Sequence, residues 1–110
     1  MVVQDTSTTM DLQSPSGSTK VLNVKLDAVP AGYTVSTWIA AGSPTGTGTI
    51  GYTSSGSSLS LTTTDAAIIS GMDNYAFTGA TIGFEAAILA TASESAESLT
   101  VTWTIADAAV

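Results

Sequence analysis

The sequence predicts an all-β fold, a single domain in which seven or eight short antiparallel strands form a β-sandwich. Threonine is abundant, with 19 copies among 110 residues, and its branched Cβ suits a pleated surface. Charged residues, which usually cover helix surfaces, make up only 10% of the chain. Apolar and polar residues alternate in short runs, with turn residues about every 8–12 positions, as is typical of sandwiches and small barrels.

Residues 1–18 are polar and are predicted to form an N-terminal arm that precedes a sandwich domain at residues 19–110. Two alternatives stay open for this arm, a flexible segment or an edge strand that docks on a neighbouring molecule. Its candidate partner-binding residues are Val2, Val3, Thr9, Met10 and Leu12.

The first strands are predicted from alternation and turn residues. Residues 20–27 alternate between apolar and polar side chains, the pattern of a half-buried strand. The segment VPAGY at residues 29–33 is a turn because Pro and Gly supply special φ values, and it leads into a second strand at residues 33–40. A third strand at residues 49–53 precedes a turn at residues 54–58.

The middle of the chain predicts a strand followed by a helical turn. Residues 58–63 alternate again. Asp65 is then placed to cap a short helical turn over residues 66–70 that ends at Gly71. The apolar stretch around this turn is a second candidate contact patch, and it contributes three candidate partner-binding residues, Ile68, Ile69 and Met72.

The last third of the chain predicts three strands. Residues 74–78 place two aromatic side chains on one face. Residues 80–92 have period two, although their alanines also permit a helix; strand is preferred because Thr and Gly are poor helix formers. After a turn at residues 93–98, residues 98–106 give the clearest alternation.

The inward positions of these strands predict the core. Its members are Leu22, Val24, Leu26, Val35, Trp38, Ile50, Leu59, Leu61, Tyr75, Phe77, Ile82, Phe84, Ile88, Leu99, Val101, Trp103 and Ile105.

The stretch GTGTIG at residues 46–51 matches the G-x-G-x-x-G pattern of dinucleotide-binding folds. That pattern needs a helix to open on its last glycine, so that the helix N-terminus meets the pyrophosphate. The following residues, YTSSGSSLSL, are turn and strand formers. The stretch is therefore interpreted as an exposed hairpin loop between the Trp38 and Ile50 strands, and as a candidate contact surface.

Charge and composition exclude several classes of function. The net charge is -7, with two lysines and no arginine, so the chain is not expected to bind nucleic acid or anionic membranes. Cysteine and histidine are absent, which removes thiolate zinc sites and the commonest general base. We therefore predict no catalytic residue, no cofactor and no metal site, and a non-enzymatic protein.

Three arrangements of residues are alternatives to this prediction, two of them catalytic sites and one a calcium site. The sequence contains the residues for a catalytic serine–lysine dyad, with Lys20 or Lys25 as the base. It also contains acidic residues for a glycoside-hydrolase pair, in which Glu85 acts with Asp27 or Asp73. Glu85 is more simply an outward, solvated side chain. Asp65, Asp73 and Asn74 offer oxygen ligands for calcium, with hydrogen bonding in turns as the simpler explanation.

The chain resembles the capsid decoration, or cement, proteins of tailed bacteriophages. The resemblance covers the polar arm QDTSTTMDLQSPSGS, the Ala/Thr/Gly/Ser-rich β body and the apolar end TWTIADAAV. It implies a virion structural protein on the outer capsid surface that binds the major capsid protein and forms a homo-oligomer, with a trimer favoured. The chain begins at Met1 without a signal-peptide pattern, so we expect it to be made in the host cytoplasm.

The chain also resembles immunoglobulin-like sandwiches. The sequence allows either this topology or a jelly roll. The segments SLSLTTTD and DNYAF carry it, and it implies that Tyr75 bonds back to a corner of the backbone. The alternative function is an extracellular or tail-associated adhesion module that recognises a glycan or protein surface. Its candidate aromatic contacts are Tyr33, Tyr52 and Trp38.

Overall fold

The computed structural model describes residues 2–29, 32–88 and 100–107, and within these ranges every regular element is a β-strand. All strand pairs are antiparallel and belong to one continuous sheet. The predicted all-β class is confirmed. The strands are β1 (Val2–Gln13), β2 (Lys20–Leu26), β3 (Tyr33–Ala40), β4 (Thr45–Ile50), β5 (Leu59–Ser60), β6 (Ala66–Ile88) and β7 (Val101–Asp107).

Strand β6 organises the sheet, because it is 23 residues long and pairs with four other strands. The C-terminal half of β6 has β1 on one edge and β3 on the other. The N-terminal half pairs with β2 and β4 in the same way. Backbone bonds from β6 to Ser14 and Pro15 continue the β1 pairing towards β2, so β1 and β2 share one edge. Strands β7 and β5 lie outside β2 and β3.

The two halves of this sheet enclose one core, in a sandwich-like arrangement. One half contains β4, β2, β7 and the beginning of β6; the other contains β1, β3, β5 and the end of β6. Side chains from both halves form a single buried cluster. That cluster consists of Leu22, Val24, Leu26, Val35, Ile39, Leu61, Ile68, Ile69, Met72, Tyr75, Phe77, Ala80 and Ile82.

Bulges, three of them marked by a positive φ, let β6 pass from one half to the other while its apolar side chains stay inside. Gly71, Asn74 and Gly79 have positive φ values of 63°, 52° and 64°, a conformation open to Gly and tolerated by Asn. The register to neighbouring strands shifts beside each of them. Each bulge inserts one residue and resets the alternation of the strand.

These bulges explain why the predicted helical turn is wrong. Residues 66–70 belong to β6, and Asp65 precedes a strand instead of capping a helix. The prediction of a helical turn depends on Asp65 as its cap and Gly71 as its end, whereas Gly71 is a positive-φ residue at a bulge inside β6. The two predicted strands at residues 74–78 and 80–92 are one strand as far as Ile88, so the expectation of uniformly short strands is also wrong.

The GTGTIG stretch is also corrected, since it forms most of β4 and pairs with β6. It is therefore not the tip of a hairpin with β3. A side chain at Gly46 would place Cβ 2.0 Å from the carbonyl oxygen of Asn74, and one at Gly48 would place it 2.8 Å from the Tyr75 ring. The two glycines allow β4 to approach β6 closely, which is a packing role.

The remaining predicted strands differ from the structure mainly in length. Those at residues 20–27 and 33–40 are confirmed as β2 and β3. The turn at residues 54–58 is confirmed by a bridge between Ser54 and Ser57. The strand expected at residues 58–63 contracts to two residues. The strand expected at residues 98–106 is observed as β7. The described residues do not include Leu99, residues 89–92 of the predicted strand at 80–92, part of the turn before β3, or the turn at residues 93–98.

The predicted core is confirmed at nine positions and incomplete elsewhere. Ile105 is 41% exposed, so its assignment to the core is wrong. The buried residues of the prediction are Leu22, Val24, Leu26, Val35, Trp38, Leu61, Tyr75, Phe77 and Ile82. The half-buried ones are Ile50, Leu59, Phe84, Ile88, Val101 and Trp103. Buried residues that the prediction missed include Ile39, Ile68, Ile69, Met72 and Ala80.

Candidate protein-binding surface

Strand β1 is the most exposed long element of the described residues. Ten of its twelve residues are exposed, and Val2 and Val3 have 62% and 49% of their surface open to solvent. The strand pairs with β6 along one edge. Among the described residues, no strand pairs with the second edge of β1, and an open strand edge is the feature by which sheets accept additional strands.

Four side-chain and backbone contacts fix β1 to its own chain. Ser14, at the end of β1, donates its backbone N–H to the Tyr75 carbonyl and accepts the Tyr75 N–H at Oγ, both at 2.8 Å. Asp11 Oδ1 accepts the Gly79 N–H at 2.8 Å. Near the other end, Gln4 Nε2 donates to a Glu85 carboxylate oxygen at 2.7 Å. The flexible alternative for the arm therefore does not describe residues 2–13.

A bulge divides β1 into two parts. The register to β6 shifts between Asp5 and Thr8 by one extra residue in β1. The Asp5 carboxylate accepts the Ser7 hydroxyl at 2.6 Å and the Ser7 N–H at 2.8 Å, and these two bonds lower the pKa of Asp5. As a result, Val3 and Asp5 face inward before the bulge, while the even-numbered residues from Thr8 onward face inward after it.

The inward side chains of β1 border a cleft of about 280 Å³ between the two half-sheets. Its walls are mainly apolar, with Asp5 as an inward acidic residue. The Glu85 side chain is paired with Gln4 and points to the opposite face of the sheet. The residues of both half-sheets meet here, which shows that β1 lies across from β2 and β7. The lining residues are Val3, Asp5, Thr8, Leu26, Val35, Phe84, Glu85, Ala86 and Val101.

The inner face of β7 is incompletely covered. Ile105, Trp103 and Val101 are paired with Leu22, Val24 and Leu26 of β2 and therefore share their face. The β2 side chains are at most 2% exposed, whereas Ile105 is 41% exposed. The side chains that bury the inner face of β2 therefore leave part of the neighbouring face of β7 exposed to solvent. Lys20 and Asp107 form an ion pair that joins these two strands, and this pairing lowers the pKa of Asp107.

The predicted partner-binding residues divide into three groups. Val2, Val3 and Thr9 are exposed on β1. Met10 and Leu12 are half-buried and pack against the core from β1. The assignment of Ile68, Ile69 and Met72 to a partner surface is corrected, because each is at most 1% exposed and belongs to the core. Ile105 is an exposed apolar residue that the sequence reasoning missed, since its alternation is that of a core strand.

The acidic residues considered for catalysis or calcium have structural partners or lie apart. Asp27 Oδ1 accepts backbone N–H groups from Ala28 and Thr100 at 2.9 and 3.1 Å, which ties the end of β2 to the start of β7. Asp73 Oδ1 accepts the Gly17 N–H at 3.1 Å. The described residues contain no group of three or more acidic side chains placed to hold a metal ion. Glu85 is half-buried, not fully solvated as expected.

The aromatic residues considered for glycan recognition do not form a platform. Trp38 is only 6% exposed. Tyr33 is half-buried at the start of β3, and Tyr52 is half-buried after the end of β4, where its carbonyl accepts the Ile39 N–H near the other end of β3. Tyr75 lies inside β6 and packs edge-to-face on Phe77, with ring centroids 5.9 Å apart. The corner position that the immunoglobulin-like resemblance implies for Tyr75 is therefore wrong.

Comparisons of this chain with protein-family models, with curated proteins and with solved structures found no match. Within the described residues, no helix is long and apolar enough to cross a membrane.

Proposed function

We propose that this chain is a non-enzymatic virion structural protein, a decoration protein that binds the outer surface of a shell built from a major capsid protein. The observation that carries the proposal is the exposed strand β1, whose free edge and apolar end at Val2 and Val3 offer a protein-binding surface. The resemblance of the chain to tailed-phage decoration proteins supplies the partner.

The electrostatics support the outer surface over the inner one. The chain carries a net charge of -7, and a surface of that sign is repelled by packaged DNA. Its exposed strand residues are largely Ser, Thr and Ala, which pack against another protein without the desolvation of many charges. Virion location and oligomer formation belong to this same proposal.

The experiment is co-sedimentation of the purified chain with empty tailed-phage capsids that lack their own decoration protein. We expect the chain to pellet with capsids at a fixed ratio to the major capsid protein and to raise the temperature at which the shells disrupt. The variant Val2→Ser should weaken binding because it removes an exposed apolar side chain. The matched control is Val29→Ser, which changes an exposed valine (38%) away from β1.

A chain that stays in the supernatant at all capsid concentrations and is retained instead on a glycan array contradicts the proposal. That result favours the adhesion alternative. Equal binding by Val2→Ser and wild type would show that the exposed end of β1 does not contribute to the contact. Co-sedimentation of the wild-type chain would then decide the capsid assignment by itself.

A further inference from the structure

We propose that two copies of this chain associate through their β1 strands, which pair antiparallel across a two-fold axis and join the two sheets into one. This contact does not depend on capsid binding, so it is tested on the purified chain alone. It places a second copy of this chain on the free edge of β1 and leaves the exposed outward side chains of the strand, Val2 among them, for the capsid contact. It also predicts a dimeric unit where the phage resemblance implies a trimer.

Antiparallel pairing about a two-fold axis fixes a simple rule for the register, in which the numbers of two opposed residues have a constant sum. A sum of 15 opposes Val2 to Gln13 and aligns the full length of β1 with its copy, with the bulge at residues 6 and 7 facing residues 8 and 9. Every other sum leaves at least one end of the strand without a partner. Main-chain bonding along the edge is therefore greatest at this register.

The bulge in β1 independently selects an odd sum. Directly opposed side chains of an antiparallel pair lie on the same face. In a regular strand, the residues on one face are either all even-numbered or all odd-numbered. Two opposed residues of a regular strand and its copy therefore have numbers with an even sum. The bulge between Asp5 and Thr8 reverses the alternation halfway along β1. At a sum of 15, the inward residue Val3 meets the inward residue Leu12 of the other copy. An even sum would place inward against outward residues there.

Charge is also compatible with this register and not with the neighbouring one. A sum of 16 places Asp5 opposite Asp11, and directly opposed like charges destabilise strand pairing. At a sum of 15, Asp11 faces Gln4 instead. One hydrogen of the Gln4 amide is used on Glu85, and the second is available to the Asp11 carboxylate of the other copy.

The first experiment is sedimentation equilibrium of the wild-type chain in about 0.15 M salt, which screens the repulsion between two acidic molecules. We expect a concentration-dependent monomer–dimer equilibrium. A chain that remains monomeric up to millimolar concentration, or that forms a trimer without a dimer, overturns the proposal.

The second experiment tests the register with cysteines, since the described residues contain none and neither does the rest of the sequence. Val2→Cys and Gln13→Cys change two exposed residues. Mixed and oxidised, the two single variants should form a disulfide-linked heterodimer, while each alone should not. The control mixture is Val2→Cys with Thr9→Cys, because four residues of strand displace the second cysteine by about 13 Å, beyond the reach of a disulfide.

Cross-linking in the control mixture at the same rate, or none in the test mixture, overturns the register. The three variants are at exposed positions, so each is expected to keep the wild-type circular dichroism spectrum and unfolding midpoint. A variant that fails this check is replaced by the Thr6→Cys and Thr9→Cys pair, two exposed residues that occupy the same register.

Discussion

The indole ring of Trp38 occupies the space that a side chain at Gly83 would fill. These two residues are directly paired between β3 and β6, and a Cβ at Gly83 would lie 1.9 Å from Cε2 of Trp38. Trp38 alternates with Val35, Thr37 and Ile39, so its side chain lies on the other face of β3 from theirs. The absence of a side chain at Gly83 is thus what buries this tryptophan.

We predict that Gly83→Ala destabilises the protein by about 1–3 kcal/mol, the usual range for an overpacked site. The added methyl group forces the indole ring out of its position and exposes it. Urea unfolding followed by tryptophan fluorescence measures both effects, as a lower midpoint and a red-shifted native spectrum.

The control for this change is Gly56→Ala, since no atom lies within 4 Å of a Cβ at Gly56. The variant should unfold within about 0.5 kcal/mol of wild type. In a Trp38→Leu background, Gly83→Ala should cost less than in wild type, because the two sites are coupled. Equal costs in both backgrounds would contradict the proposed contact.

Ser14 is buried, and its hydroxyl is the partner of the Tyr75 N–H. Ser14→Ala leaves that N–H unpaired inside the protein, at a cost of about 1–3 kcal/mol. Because Ser14 fixes the end of β1, we expect amide exchange in β1 to accelerate more than exchange in β3. Hydrogen exchange measured by NMR tests this, with the exposed Ser16→Ala as control. Uniform acceleration in both strands would contradict a local role.

The ion pair between Lys20 and Asp107 gives a predicted pH dependence. The hydrogen bond from Lys20, and secondly its positive charge, lower the pKa of Asp107 below its ordinary value of 3.8. A carboxylate with a lower pKa in the folded state stabilises that state above the unfolded pKa. This contribution is lost as the pH falls through the folded pKa. Stability should therefore decline below about pH 3.8.

Carboxyl chemical shifts in an NMR titration measure this directly. Lys20→Met should raise the pKa of Asp107 towards its ordinary value, because the partner is removed. Lys25→Met removes the other lysine of β2 and should leave the Asp107 titration unchanged. A similar Asp107 pKa in all three proteins would show that the ion pair does not persist in solution.

The strands with regular alternation could be predicted from the sequence, whereas their neighbours could not. The predicted strand at residues 33–40 has the same first and last residues as β3. Turn-forming residues precede this segment, and its side chains alternate with a period of two. The contact of Trp38 with Gly83 depends on which strand lies beside β3, and local periodicity carries no information on pairing between distant segments. The same limit hid the role of Gly46 and Gly48, whose neighbours are Asn74 and Tyr75.

The candidate surface was predicted in part for a related reason. Val2, Val3 and Thr9 are predicted contacts on the N-terminal arm, and the structure shows that they are exposed. Their binding to a partner stays a prediction. The assignment of Ile68, Ile69 and Met72 to a partner surface is wrong because Asp65 and Gly71 suggest a short helical turn there. Gly71 instead marks a bulge in a buried strand. Bulges are selected by three-dimensional closure of the sheet, and a positive φ at Asn74 has no unique signature in the sequence.

Asn74 is the described non-glycine residue with positive φ, at 52°, and it sits where β6 passes between the two half-sheets. An L-residue in this conformation costs about 1–2 kcal/mol, less for Asn than for most others. We predict that Asn74→Gly is neutral or stabilising by a few tenths of a kcal/mol, whereas Asn74→Val destabilises by about 1–3 kcal/mol. Chemical denaturation with circular dichroism detection measures the difference.

The neighbouring exposed residue Asp73 provides the contrast, because its φ is not positive. If the bulge requires the left-handed conformation, valine at position 74 is costly while valine at position 73 loses only the carboxylate bond to the Gly17 N–H. The order of stability should then be Asn74→Gly, Asp73→Val, Asn74→Val. An Asn74→Val variant as stable as Asp73→Val would mean that β6 can shift its bulge by one residue, so that the path of the strand is not fixed by Asn74.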